Sequence, residues 1–262
     1  MTIITLTTDF GMADSYVGVM KGIILGIAPD VHLVDLTHEI AAQDVRGAEY
    51  ILSRAVPFFP DGAVHLAVVD PGVGSRRRPL LITTARARYV GPDNGLFTFA
   101  LEDPSAAVVM LDRPAFWLPS VSRTFHGRDI FAPVAAHVAR GVSSYDLGRP
   151  ISDAIRLARV MPQQRHNDGH ITGHITHVDR FGNLITDVPG GWMTGGRWCV
   201  EVAGQQFCQS GTTYADAEIG AFLILVGSAD TVEIAVRDGN AAARLGVRAG
   251  EIVTLRPVTG AW

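Results

Sequence analysis

The N-terminal half of this 262-residue chain alternates two hydrophobic periods, and that alternation narrows its fold to a sheet covered by helices. Ile3–Thr8 has the apolar, β-branched pattern of a strand and ends on Asp9, Phe10 and Gly11. Asp14 or Ser15 can cap the helix that follows, whose apolar residues Tyr16, Val19, Met20, Ile23, Ile24 and Ile27 recur at helical spacing up to Pro29. A second strand, residues 31–36, leads to Thr37 and His38. Asp44 caps a second helix through Ala48, Ile51 and Leu52, which Pro57 closes. A third strand covers residues 63–69, and further apolar stretches lie at 80–83 and 106–111, with a PDNG turn at 92–95 between them. Strands separated by helices of this length indicate right-handed βαβ units, hence an α/β domain with a mainly parallel sheet over residues 1–160.

The second half changes character. Residues 161–170, MPQQRHNDGH, are polar and aperiodic and read as a linker. Short strand candidates then follow between glycine-rich turns: Ile171–Val178, 184–188, Trp198–Val202, Phe222–Val226 and Thr231–Val236. This is the pattern of a smaller all-β barrel domain over residues 171–262. No internal repeat or low-complexity segment interrupts either half.

Composition excludes several functions. With 47% hydrophobic and 18% charged residues the chain is an ordinary globular one, and its net charge of −4 offers no electrostatic case for nucleic acid or an anionic membrane. The N-terminus has no basic leader, and the longest apolar runs, such as 221–226, are far short of a span, so a cytoplasmic protein is expected. Cys199 and Cys208 could face each other in a hairpin, but two cysteines without a secretion signal are expected as free thiols.

The chemistry concentrates in DPGVGSRRR at residues 70–78. Asp70 falls at the carboxyl end of the third strand, where open α/β sheets bind their ligands, and Pro71, Gly72 and Gly74 force a turn beyond it. Alone, such a stretch is more often a capped turn before a solvated basic loop, because Gly, Pro and Asp are the default turn residues. His126 lies in FHGRDIFAPVAAHVARG, residues 125–141, a loop entering a helix that Gly141 stops. The positive end of that helix favours neutral imidazole, which can accept a proton, although position alone permits a simple cap as readily. His166, His170, His174 and His177 crowd the linker and the strand after it, but their spacing fits neither a zinc finger nor HExxH, so solvent-facing and interface roles are preferred to a metal site. No phosphate-binding glycine loop is present.

Four stretches occur in order: TDFG at 8–11 with DSYVGVMKG at 14–22, then DPGVGSRRR, then FHGRDIFAP at 125–133, then DRFGNLITD at 179–187. Together they resemble the S-adenosyl-L-methionine hydroxide adenosyltransferase family, hydrolytic relatives of the fluorinating and chlorinating adenosyl transferases, over nearly the whole chain. The resemblance implies an α/β domain joined to a β-barrel. It also implies a homotrimer with active sites between the N-terminal domain of one chain and the barrel of the next. The implied reaction converts S-adenosyl-L-methionine and water to adenosine and L-methionine, with no metal or other cofactor. The water-activating trio falls on Asp70, Arg77 and His126, and the ribose contact on Asp9. The adenine-side contacts fall on Asn183 with Phe181 beside it, on Ser228, Glu233 and the backbone of Val236. Asp179 matches the position that holds the methionine amine. The chain departs from the family pattern at Asp230, where Gly is common, and at Arg237, where Asn is common. A halide-using transferase and a non-catalytic adenosine-binding sensor are the alternatives, and the anionic Asp70, which would repel a halide, counts against the first.

Overall fold

The computed structural model describes residues 2–158, 162–194 and 196–258, and the chain divides into two units, 1–158 and 159–262. In the first, β1 (Ile3–Thr8), α1 (Tyr16–Ile27), β2 (His32–Thr37), α2 (Val45–Ala55) and β3 (Val64–Val68) follow the expected alternation. Asp44 caps α2 by accepting from the Gly47 amide at 2.9 Å, whereas Ser15 occupies the N-cap of α1 without a side-chain bond. Then come β4 (Pro79–Thr83), β5 (Arg88–Pro92), β6 (Ala107–Leu111), α3 (Ala132–Ala139), α4 (Ser144–Leu147) and β7 (Gly148–Pro150). The sheet order is β2-β1-β3-β5-β4-β6-β7.

This sheet is mixed, not mainly parallel. The β1–β2, β1–β3 and β3–β5 pairs are parallel, but β4–β5, β4–β6 and β6–β7 are antiparallel. β4 and β5 form a hairpin across residues 84–87, and the connection from β5 then passes β4 to set β6 on its other side, antiparallel to it. The strand β5 itself lies in ARARYVGP, where alternating arginines hide the apolar face. α1 and α3 pack on one core with Ile4, Leu66 and Phe131, and α2 packs on a second with Leu52, Ala67 and Phe97.

One buried ring in this core sets an acid limit. His65 in β3 is 1% exposed, lies 2.8 Å through Nδ1 from Thr5 Oγ1 and stacks on Tyr89. Burial pushes its pKa down to about 4. Between that value and the ordinary 6.5, the unfolded chain takes up a proton that the fold refuses. The stability is complete above the unfolded value and falls on acidification by about 1.4 kcal/mol per pH unit. Urea unfolding near pH 7 and pH 5 should therefore show the parent losing about 2 kcal/mol more than a His65→Gln variant. Equal losses would place the acid-sensitive group elsewhere.

The second unit contains β8 (Gln164–Arg165), β9 (Ile171–Val178), β10 (Leu184–Pro189), β11 (Trp198–Val202), β12 (Gln205–Phe207), β13 (Phe222–Val226), β14 (Thr231–Val236), α5 (Ala241–Leu245) and β15 (Ile252–Pro257). The order β12-β11-β15-β9-β10-β14-β13 is antiparallel throughout, and a bridge from Ser210 to Ile224 joins the segment after β12 to β13, leaving the sheet nearly barrel-shaped. Residues expected as a linker include β8, which pairs with β9. Residues 159–161 lie outside the described part.

Cys199 and Cys208 form a disulfide, against the expectation of free thiols. The β11–β12 register pairs Val200 with Phe207, which sets the two cysteines opposite each other with Cα atoms 4.0 Å apart. Among the described residues no helix is long and apolar enough to cross a membrane.

Candidate active site

Parallel pairing gathers the acidic residues of the first unit. Thr8 pairs with Val68 in the β1–β3 ladder, so Asp9 emerges one residue, and Asp70 two residues, beyond neighbouring strand ends. Adjacent strands are about 4.8 Å apart, so both carboxylates sit at one mouth of the sheet. Beyond Asp70 the chain makes two overlapping turns, through the amides of Val73 and Ser75 bonding the carbonyls of Asp70 and Gly72. Gly74 has φ +75°, and a Cβ there would come 2.3 Å from the Arg123 carbonyl oxygen. A glycine is thus required where the 70–78 loop meets the loop carrying His126.

Arg77 returns from this turn onto Asp70. Its Nε donates to Oδ1 at 3.1 Å and Nη2 to Oδ2 at 2.5 Å, with the side chains only 6% and 5% exposed. Such bidentate, charge-assisted pairs are among the strongest hydrogen-bonded contacts in proteins. Nη2 also reaches His126 Nδ1 at 3.0 Å. A guanidinium has only N–H groups to offer, so Nδ1 is the acceptor and a neutral ring carries its proton on Nε2. Burial and then the Arg77 charge push the His126 pKa down, while Asp70, Asp129 and the Ser122 carbonyl oppose them. The guanidinium itself lies 5.1 Å over the Phe131 ring. Of its five N–H bonds three are engaged, and Nη1 is buried without a partner among the described residues.

His126 stands where the sequence places it, at the entry to a helix, but the first turn, Gly127–Phe131, is π-helical before α3 begins. Such wide turns are frequent at functional sites. Buried Asp129 within it accepts from the Ser122 amide at 2.7 Å and holds the loop that leads to His126. Phe10 and Phe125, the chain neighbours of Asp9 and His126, meet edge to face at 5.9 Å, with Tyr16 against both. Asp9 accepts through Oδ2 from the Gln43 amide at 2.8 Å. Gln43 has φ +67°, and nothing in its sequence context signals that contact.

The second unit gathers Asp179, Asn183 and Glu233. Asn183 and Glu233 are 6% and 5% exposed, while Phe181 is 74% exposed at the turn between β9 and β10. Gly182 in that turn has φ +85°, and a Cβ would fall 2.1 Å from Asn240 Cγ. The backbone is thereby pinned where Asn183 departs. Ser228 is exposed in the turn before β14, and Val236 closes that strand with its carbonyl accepting from Gly239 at 3.1 Å. The two therefore flank Glu233 along the strand instead of joining its hydrogen bonds. Asp230 takes φ +57°, a conformation that glycine adopts freely and Asp tolerates. Tyr214, which the sequence reading passed over, donates to Glu233 Oε1 at 2.6 Å. Its only advance signal was an aromatic among small and polar residues in GTTYADA.

Of the four histidines noted in the sequence, two stack on each other and a third faces an aspartate. His166 and His170 stack at 3.9 Å, and His174 lies 3.4 Å from Asp187.

An arginine-locked carboxylate beside an imidazole, at the carboxyl ends of parallel strands, is an arrangement able to orient a polar, proton-bearing nucleophile. Residues 4–148 match the model of the SAM hydroxide adenosyltransferase N-terminal domain and residues 173–254 that of its C-terminal domain, and the chain belongs to this family. It is 40% identical to an (R)-S-adenosyl-L-methionine hydrolase of Thermus thermophilus, over 95% of this chain and 97% of that one. It is 38% identical to a protein of the same description from Salinispora tropica, over 95% of each chain. A crystal structure of an uncharacterized conserved protein from Thermotoga maritima superposes with a TM-score of 0.89 at 32% identity, covering 97% of this chain and all of that one.

Proposed function

We propose that the protein hydrolyses S-adenosyl-L-methionine to adenosine and L-methionine through attack of an oriented water on C5′. The observation that carries this reading is the Asp70–Arg77–His126 arrangement. A sulfonium leaves as a neutral thioether, so the leaving group needs neither a proton nor a Lewis acid. The demand falls on the water. Asp70 has two lone-pair directions left after Arg77 takes the others, enough to hold a water and receive its proton. Arg77 Nη1 offers the two free hydrogens that would stabilise the developing hydroxide. His126 cannot be the base in this arrangement, because Nδ1 is occupied and Nε2 already carries its proton; it serves as a donor. The C5′–O bond forms as the C5′–S bond breaks, the electron pair leaves with sulfur, and the water's proton goes to Asp70 and then to solvent.

Asp9 suits the ribose, since a carboxylate can accept from both hydroxyls. In the wider reading, Asn183, Phe181, Ser228, Glu233 and Val236 line the adenine side and Asp179 receives the methionine amine. The first unit of one chain and the second unit of the next complete each site in a cytoplasmic homotrimer. A protein monomeric by light scattering at working concentration would defeat that arrangement. A reducing cytosol would open the Cys199–Cys208 bond, so alkylation of intact cells is expected to trap both thiols.

The direct test is a single-turnover incubation with substrate in ¹⁸O-labelled water and chloride buffer, read by mass spectrometry. Label in the 5′-hydroxyl of adenosine is expected. Chlorinated nucleoside would move the protein to halide chemistry, and unchanged substrate retained on the protein would make it a binder.

A further inference from the structure

The second unit holds a chain of polar side chains whose bond directions can be worked out from one end. Asp179 accepts through Oδ1 from the amides of Phe181 and Asn183, both at 2.9 Å, and through Oδ2 from Asn183 Nδ2 at 3.0 Å. An ionised carboxylate only accepts, so the nitrogen of the Asn183 amide must face it and the oxygen must face away. The second Nδ2 hydrogen is directed at the Tyr214 hydroxyl oxygen, 3.4 Å away, and the Tyr214 proton goes to Glu233 Oε1. Both hydrogens of the Asn183 amide are then engaged. Its Oδ1 accepts from no described residue.

Tyr214 is itself held firmly. Thr213 and Asp216 form a reciprocal cap around it, and Asp216 Oδ2 also accepts from Thr212. Arg237 reaches across from the end of β14 and donates through Nη1 to the carbonyls of Ala215 at 3.2 Å and Ala217 at 2.8 Å. The departure from the family pattern at Arg237 is therefore spent on clasping the Tyr214 loop. The Ser210–Ile224 bridge ties down the segment that precedes it.

We propose that Tyr214 is a positioning residue that sets base specificity. Together with Asp179 it locks the Asn183 amide so that the site presents an acceptor. It thereby selects a purine whose edge offers an amino group over one whose edge offers a carbonyl. The inference rests on the adenosyl-substrate reading above. Burial pushes the Glu233 pKa up and the hydrogen bond from Tyr214 opposes it, with the Asp179 charge adding to the rise, so the donated Tyr214 proton steadies the Glu233 carboxylate at the far end of the chain of bonds.

Calorimetric titration with adenosine and inosine tests this on the intact protein. The parent is expected to bind adenosine far more tightly than inosine. Tyr214→Phe should shrink that preference about tenfold, the worth of one hydrogen bond's directional constraint. Its loss of kcat/KM on S-adenosyl-L-methionine should fall mainly on KM. Arg237→Ala, which loosens the same loop without touching the amide, should shrink the preference in the same direction by less. A merely structural defect would weaken both nucleosides together and leave their ratio alone. An unchanged ratio in both variants would overturn the proposal. A parent that binds neither nucleoside would instead overturn the substrate reading beneath it.

Discussion

Asp70→Asn is expected to lower kcat by about 10²–10⁴-fold, the usual worth of a positioned base, while the affinity for adenosine changes little. The substitution keeps the shape of the side chain and removes what the chemistry needs. An amide cannot take the proton of the attacking water, and its NH₂ group would confront one of the Arg77 donors that now meet Oδ1 and Oδ2. Asp9→Ala should show the opposite partition, weakening adenosine binding with a smaller effect on kcat, because Asp9 is assigned to the ribose and not to the water. Single-turnover rates and calorimetry on the two variants separate these roles. A large affinity loss in Asp70→Asn with kcat preserved would reverse the assignment.

The second large effect is expected at Arg77. Its guanidinium neutralises a carboxylate that is 5% exposed and reaches His126 Nδ1 at 3.0 Å. Arg77→Met keeps the length and the apolar stem over Phe131 but leaves Asp70 as an unpaired buried charge. Breaking a buried pair from one side costs about 3–5 kcal/mol, far more than the pair's net contribution when both partners are present. The urea midpoint should fall accordingly, together with kcat. A variant of parental stability that has lost turnover would assign Arg77 a purely electrostatic role on the nucleophile. Asp70→Asn combined with Arg77→Met should recover part of the stability but none of the activity, since the charge is gone and so is the base.

Much of this was legible in the chain before any coordinates. The strands Ile171–Val178, Trp198–Val202, Phe222–Val226 and Thr231–Val236 agree with the sequence reading residue for residue. Turn chemistry and β-branched runs are local signals that need no distant partner. Asp70 and His126 were readable for a similar reason, since a strand end and a helix entry are marked by their immediate neighbours. β5, β12 and β15 were not read, because alternating arginines, glutamines or threonine blur the apolar period that identifies a strand.

What escaped the sequence depends on pairing between distant segments. The mixed sense of the first sheet follows from which edges meet, and the Cys199–Cys208 bond follows from a register that pairs Val200 with Phe207. The tautomer of His126 follows from a guanidinium 49 residues away. Tyr214 belongs to no motif, and the proposed role exists only because Glu233 within β14 and Arg237 just beyond its end hold its hydroxyl and its loop. The sequence by itself determined which residue types stand at the strand ends and helix entries, because backbone preference acts over a few residues. Only the tertiary structure decided which way each proton points, because a hydrogen bond's direction depends on the partner opposite.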